Sequence, residues 1–391
     1  MTIEQVGLLL LAAAVVAMVA RRLHVPYSVG LVLAGILLAA LSMTPEFRLT
    51  KSLIFTAFLP PLVFEAALYI KWSELRRDLP VIVTLATVGV ALSAAVTAVG
   101  MVWLAGWEWP GAVLFGVLIA ATDPVSVIAT FREAGVKGRL SLLVESESLF
   151  NDSTAAVAFT VALVLATGGQ VTAAGVVWDV VRMVLGGIAC GALIAGGALA
   201  LAGRTDDHLV ITTFTTVAAY GSFLLAEHYH LSGVLASLTA GLMVGNIGLA
   251  GSITDSTHDA LESFWEYAAF VANSLIFILI GFRVAHGDFG SVVQATIVAI
   301  GLIIVGRALA IYGCCAVFRR SNLRVETDQQ HILVWGGLRG ALALALALGL
   351  PSDLPHASEI VTVSLGVVVF SILVQGLTIT PFLRRLGAIP A

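Results

Sequence analysis

Ala121-Thr122-Asp123-Pro124-Val125 and Glu147-Ser148-Leu149-Phe150-Asn151-Asp152 each set carboxylates in the middle of a long apolar run. The first run covers 110–131 with Asp123 at its centre, and the second covers 138–167 with Asp152 at its centre. A charge at the centre of a bilayer costs about 2.5–3.5 kcal/mol on insertion scales, so such residues face a cavity, a partner or an ion path. In Thr122-Asp123-Pro124 the proline lacks an N–H and clashes with the preceding turn, and the residue before it is pushed off helical angles. The helix is expected to unwind at Thr122 and Asp123. That frees carbonyl oxygens, which membrane depth tolerates only where they line a cavity or meet an ion. In the second stretch, about 100° per residue places Glu147 and Asn151 on one face and Ser148 and Asp152 on another. Glu147 and Asp152, five apart, point about 140° away from each other. A hydroxyl and a carboxylate on one side are hard oxygen ligands that suit Na+ or another hard cation. Glu147 points elsewhere and needs a cationic partner to stay charged at low cost. Away from the ends of the runs, only Arg182, Arg307 and Arg339 among the Lys and Arg lie within them. Arg182 reads as interfacial and Arg339 has a position of its own, which leaves Arg307 to pair with Glu147.

The elements that carry these residues follow from composition. Of 391 residues, 59% are hydrophobic and 11% charged, and the mean hydropathy is +1.02. A soluble domain carries about a quarter charged residues, so the chain reads as an all-α polytopic membrane protein. About 20 apolar residues cross the hydrocarbon core as a helix. Apolar runs between polar breaks give thirteen candidate transmembrane helices, near 3–20, 26–43, 51–70, 79–105, 110–131, 138–167, 172–203, 207–228, 232–249, 258–285, 290–318, 327–350 and 358–383. Arg21 and Arg22 follow the first run rather than precede it, which predicts a span with an outside N-terminus and not a cleaved signal. From that start, fourteen of the twenty Lys and Arg fall in inside loops, three (Arg48, Lys51 and Arg283) fall outside and three lie within spans. This is the asymmetry the positive-inside rule expects, and it puts the C-terminus in the cytoplasm. No soluble domain is read at either end.

Spans one to six (about 3–167) and eight to thirteen (about 207–383) read as two six-helix repeats, and the odd linking helix (about 172–203) makes them inverted. The fifth span, broken at Asp123-Pro124, then corresponds to the twelfth, which carries Gly336-Gly337-Leu338-Arg339-Gly340 at its centre. Interrupted hydrophobic segments at matching positions of two halves point to a transporter site. Two such breaks bring four half-helix ends together, two positive and two negative, and Asp123 and Arg339 are placed to compensate them.

Other polar residues carry less. Glu65, after Pro60-Pro61, is either structural or lines an entrance. Asn273 and Gln375 read as interhelical hydrogen-bond partners, and Thr212, Thr213, Thr215 and Thr216 as bonding their own backbone. Glu262 and Glu266 fit an acidic cytoplasmic funnel or a solvated helix end. Cys190, Cys314 and Cys315 show no paired spacing. Walker and His-Glu-x-x-His motifs are absent. No cofactor and no enzymatic activity are expected, and the partners are ions and the lipid bilayer, not nucleic acid.

Taken together, Thr122-Asp123-Pro124-Val125, Glu147-Ser148-x-x-Asn151-Asp152, Leu59-Pro60-Pro61-Leu62-x-Phe64-Glu65-Ala66-Ala67 and Gly336-Gly337-Leu338-Arg339-Gly340 resemble the prokaryotic sodium/proton antiporters. These form the NhaP-like branch of the monovalent cation/proton antiporter superfamily, related to animal sodium/proton exchangers. The resemblance runs over nearly the whole chain in the same order. It implies thirteen helices and a homodimer in the inner (plasma) membrane. It also implies a core domain, including about 79–167 and 290–383, that moves like an elevator against a dimerisation domain built from the remaining helices. Asp152 is implied as the residue shared by Na+ and H+. Ser148 and the Thr122 backbone are implied as further Na+ ligands, Asp123 lies close by, and Glu147 with Arg307 matches the family's core ion pair. Asn151 stands where electrogenic relatives carry Asp, which goes with electroneutral exchange. The long cytoplasmic tail of animal exchangers is not matched, so tail-based regulation is not expected.

The expected function is electroneutral exchange of Na+ or Li+ for H+ in pH homeostasis, with cation and proton competing for Asp152. K+ in place of Na+ stays open, since cavity size and ligand number decide ion choice. A passive cation channel is disfavoured because conduction calls for several weak sites. An intramembrane hydrolase with an Asp123–Asp152 dyad would leave the arginines and the broken helices idle.

Overall fold

At membrane depth a helix satisfies every backbone N–H and C=O within its own segment, so long apolar runs fold as helices. The computed structural model describes residues 3–23, 25–41, 49–123, 127–128, 131, 136, 138–169, 172–248, 255–351 and 354–389. Among these the chain is all-helical, with no strand. Pro124 and Val125 of the first motif, and Arg48, Arg132 and Lys137 of the charge pattern, lie outside the described residues.

In chain order the helices are α1 (Ile3–Leu23), α2 (Tyr27–Ala40), α3 (Lys51–Leu68), α4 (Trp72–Ala105), α5 (Trp109–Ala120), α6 (Arg139–Ala166) and α7 (Ala173–Ala202). There follow α8 (His208–His228), α9 (Gly233–Ile247), α10 (Asp255–Ala285), α11 (Val293–Val317), α12 (Thr327–Trp335), α13 (Ala341–Leu348) and α14 (Ala357–Arg385). Among the described residues nine helices are long and apolar enough to cross a membrane, and α2, α5 and α9 are shorter apolar helices.

One helix departs from its expected bounds, and the two expected breaks are present. The charged stretch before residue 79, read as an inside loop, is helical from Trp72, so α4 runs 34 residues. That is about 51 Å at 1.5 Å per residue, more than the ~30 Å hydrocarbon core. Its polar first turns, with Glu74, Arg76 and Arg77, are exposed. The run 110–131 stops as a regular helix at Ala120, and Ala121 turns to φ −58°, ψ 140°. Residues 121–123 are non-helical, and helical geometry returns at 127–128. The run 327–350 is α12, a break over Gly336–Gly340, then α13.

Backbone packing divides the chain into two compact units, one of Met1–Lys51, Asp78–Gln170 and Ser274–Ala391 and the other of Ser52–Arg77 and Val171–Asn273. In the first, glycines let backbones approach. A Cβ on Gly35 would strike Ile278 O, one on Gly281 would strike Val32 O, and one on Gly116 would sit 2.5 Å from Ala94 O. Small residues at such contacts are how helices pack where lipid competes equally for apolar surface. The core of the second unit joins Phe64 and Leu68 of α3 to alanines of α7, α8 and α9 and to Leu261 and Trp265 of α10. Phe64 and Trp265 pack with ring centroids 4.4 Å apart, and the indole N–H of Trp265 donates to Thr215 Oγ1 at 3.1 Å. Thr212 and Thr213 of α8 bond His208 O and Leu209 O, and Thr215 and Thr216 both bond Thr212 O.

Candidate ion-binding site at the crossing of two broken helices

The first unit carries both breaks, and they touch. The N–H of Asp123 donates to Leu338 O at 2.8 Å. The Asp123 carboxylate lies against Gly340, where a Cβ would collide with it. Gly340 is the N-cap of α13, so the acid sits at a helix N-terminus, where an anion is favoured. Arg339 is 1% exposed, and its Nη1 donates to Gly337 O at 2.7 Å, just past the C-terminus of α12. Nε and Nη2 of Arg339 have no hydrogen-bond partner among the described residues. Acid and base thus meet opposite helix ends, and each is tied to the backbone of the twelfth-span break.

On α6, Glu147 takes two bonds from one guanidinium. Arg307 Nη1 donates to Oε1 at 2.7 Å and Nη2 to Oε2 at 2.8 Å. Both side chains are buried. Arg307 also reaches Leu333 O in the last turn of α12 from Nε and Nη2, each at 3.2 Å. A Cβ on Gly337 would stand 2.7 Å from Arg307 Nε, so glycine there makes room for the guanidinium. A charge pair this deep is tolerated only when its remaining hydrogen-bonding groups are met, and here they are.

Asn151 extends the network. Its Nδ2 donates to Glu147 Oε1 at 3.0 Å and to Thr122 Oγ1 at 2.6 Å, and its Oδ1 accepts from Thr122 N–H at 3.1 Å. The hydroxyls of Thr122 and Ser148 are 3.0 Å apart. Helical periodicity separates the Glu147/Asn151 face from the Ser148/Asp152 face, and Thr122 bridges the two from the broken fifth span. Asp152 lies one turn beyond Ser148 and is half-buried. It has no hydrogen bond or ion pair with a described residue, and the charged groups acting on it are Asp123 and Glu147. Among the described residues no three His, Cys, Asp or Glu cluster as for a resident metal. The oxygens of this region are hydroxyls, carbonyls and carboxylates, a set that suits a small hard cation.

The other candidates lie elsewhere. Glu65 is half-buried on α3 in the second unit. Glu262 stands 3.5 Å from His258 near the start of α10. Gln375 is buried beside the crossing, where its Nε2 donates to Trp335 O at 3.3 Å.

A family model described as sodium/hydrogen exchanger, transmembrane, matches residues 8–385. The chain belongs to the sodium/hydrogen exchanger family. This exchanger is 39% identical over 374 residues to the Na(+)/H(+) antiporter ApNhaP of Aphanothece halophytica, covering 94% of this chain and 70% of the relative. It is 35% identical over 349 residues to the Na(+)/H(+) antiporter NhaP of Pseudomonas aeruginosa (86% and 82% covered). It is 33% identical over 399 residues to the Na(+)/H(+) antiporter NhaH of Halobacillus aidingensis (98% and 97%). Its fold matches the solved structure of the sodium proton antiporter MjNhaP1 from Methanocaldococcus jannaschii with a TM-score of 0.80 at 20% identity, over 98% of both chains. The exchanger is a multi-pass membrane protein.

Two features of this exchanger escaped the sequence. Arg139, counted among inside-loop charges, opens α6. Its Nε donates to the buried Asp78 at 2.8 Å, and its Nη1 and Nη2 donate to Arg324 O and Leu323 O. Ser371 of α14 accepts the N–H of Arg339 at 2.8 Å. A serine in an apolar span gives no signal of its own. The nearest hint was Gln375 four residues on, a costly group to bury without partners.

Proposed function

We propose that this exchanger carries Na+ one way and H+ the other across the plasma membrane without net charge, as a secondary transporter and not an enzyme, with the two cargoes competing for the Asp152 carboxylate. One observation carries the reading. Glu147 is committed to Arg307 and Asp123 lies at the N-terminus of α13, whereas Asp152 has no bonding partner among the described residues. It is therefore the acid available to bind and release a cargo. Ser148 and Thr122 supply further oxygens for Na+ or Li+. The relatives of 33–39% identity carry Na+ and H+ in their names, which supports Na+ over K+ for this chain.

Asn151 is neutral and held by three bonds to Thr122 and Glu147, so the site offers one free carboxylate. One carboxylate takes one Na+ or one proton, and a cycle of the two moves no net charge. An uncompensated carboxylate is costly to carry through hydrocarbon, which discourages return without cargo. In this reading the core, including about 79–167 and 290–383, moves as an elevator within a homodimer whose dimerisation domain is built from the remaining helices.

The test is the collapse of a pH gradient in proteoliposomes on adding Na+, Li+ or K+, with and without an imposed membrane potential. Na+ and Li+ collapse the gradient at rates the potential does not alter, and K+ does not. No response to Na+ would refute exchange. Response to K+ alone would reassign the cargo, and rates that follow the potential would refute electroneutrality.

A further inference from the structure

A helix broken at membrane depth exposes backbone groups that must each find a partner. In the break after α12 most partners come from the crossing itself. Ile332 O takes the N–H of Gly336 at 2.7 Å, Gly336 O takes that of Leu338 at 2.8 Å, and Leu338 O takes that of Asp123 at 2.8 Å. Gly337 O takes Arg339 Nη1, and Leu333 O takes Arg307.

Two groups are met from α14 instead. The N–H of Arg339 donates to Ser371 Oγ at 2.8 Å, and Trp335 O accepts from Gln375 Nε2 at 3.3 Å. The two side chains are themselves joined, Ser371 Oγ donating to Gln375 Oε1 at 2.7 Å. Three bonds therefore run in one line from the N–H of Arg339, near the far end of the break, to the C=O of Trp335, just before it. Ser371 is fully buried and Gln375 is 6% exposed. They open and close the five-residue π-helical turn Ser371–Gln375. Such turns also occur in α3, α4, α8 and α9; what sets this one apart is that both of its end residues bond the break.

We infer that Ser371 and Gln375 are positioning residues for the ion site, an inference that rests on the antiport reading above. The pair sets the separation of the two half-helix ends of the twelfth span. That separation fixes where Leu338 O meets Asp123 N–H, and so how the Thr122–Asp123 segment is presented to α6. Neither side chain bonds Thr122, Ser148 or Asp152, so both act through the backbone of Trp335 and Arg339. Loosening the clasp alters ion affinity and ion choice before it alters the fold.

The test compares purified full-length wild type with Ser371→Ala, Ser371→Thr and Gln375→Leu. It measures half-saturating Na+ and Li+, maximal exchange rate, melting temperature and deuterium uptake at the Arg339 amide. In Ser371→Ala and Gln375→Leu half-saturating Na+ rises roughly tenfold, the scale of one lost buried hydrogen bond. The ratio of Na+ to Li+ affinity changes, the maximal rate is largely kept, and the Arg339 amide exchanges faster in Ser371→Ala. Ser371→Thr, which keeps the hydroxyl, restores wild-type values. If Ser371→Ala is not recovered folded, Gln375→Leu carries the same readouts. An active wild type whose variants keep the same half-saturating Na+ and the same Na+ to Li+ ratio overturns this inference alone, and so does a joint fall in rate and melting temperature at unchanged affinity. An inactive wild type overturns the antiport reading, and this inference with it.

Discussion

The guanidinium of Arg307 meets both oxygens of Glu147, and a third group, Asn151, donates to the same acid. Removing one member of a buried pair leaves an uncompensated charge, at a cost of about 3–5 kcal/mol, whereas replacing both by apolar groups of similar volume is often neutral. Glu147→Ala therefore lowers the melting temperature sharply, and Glu147→Met combined with Arg307→Met recovers most of it. A normal melting temperature in Glu147→Ala would contradict the structural role of the pair. Asp152 differs because no bond among the described residues depends on it. Asp152→Asn is expected to leave the melting temperature near wild type and to abolish Na+-dependent proton flux in proteoliposomes; exchange that survives would remove Asp152 from the site. The periodicity of α6 made the two faces legible in the sequence, and Arg307 was reachable by elimination among the three arginines placed within spans. The bridge from Thr122 to both faces was not legible, because it depends on where a non-helical residue of another segment comes to rest.

The two breaks arise from different chemistry. In the fifth span Pro124 forces the chain off helical angles, and the sequence states this outright. In the twelfth no proline is present, and the break over Gly336–Gly340 is held by what meets it. Arg307 lies against Gly337, and the Asp123 carboxylate against Gly340. A methyl group at Gly340 must displace that carboxylate. Gly340→Ala is thus expected to suppress exchange strongly in initial-rate measurements. Gly301→Ala in α11, where a Cβ meets nothing within 4 Å, keeps wild-type rates and serves as the control. Equal rates in the two variants would show that the contact between the breaks does not matter for transport. The same reasoning explains the misjudged start of α4. Charges such as Glu74 and Arg76 signal water, which a helix running past the bilayer reaches as readily as a loop does.

For the molecule as a whole, competition at one carboxylate has a measurable signature. Where the protonated form dominates, half-saturating Na+ rises about tenfold for each unit by which pH falls, because each Na+ bound displaces one proton. A half-saturating Na+ that ignores pH would mean separate sites for the two cargoes. The loop charges make a further statement. If the Lys- and Arg-rich segments face the cytoplasm, as the positive-inside rule expects, an N-terminal tag is reached from outside intact cells and a C-terminal tag only after permeabilisation. The reverse pattern would invert the orientation.

Composition and local order alone determined the membrane class, the run of helices, the orientation expected from charge, and the register that sets Glu147 apart from Asp152. These depend on periodicity and on the cost of charge in lipid, which act within a segment. The tertiary structure decided which oxygens gather around Thr122, where the two breaks touch, and that α14 spans the second break through Ser371 and Gln375. Those contacts join residues as far apart in the chain as Asp123 and Leu338, and whether any one forms depends on which helices pack together and how closely their glycines let them approach.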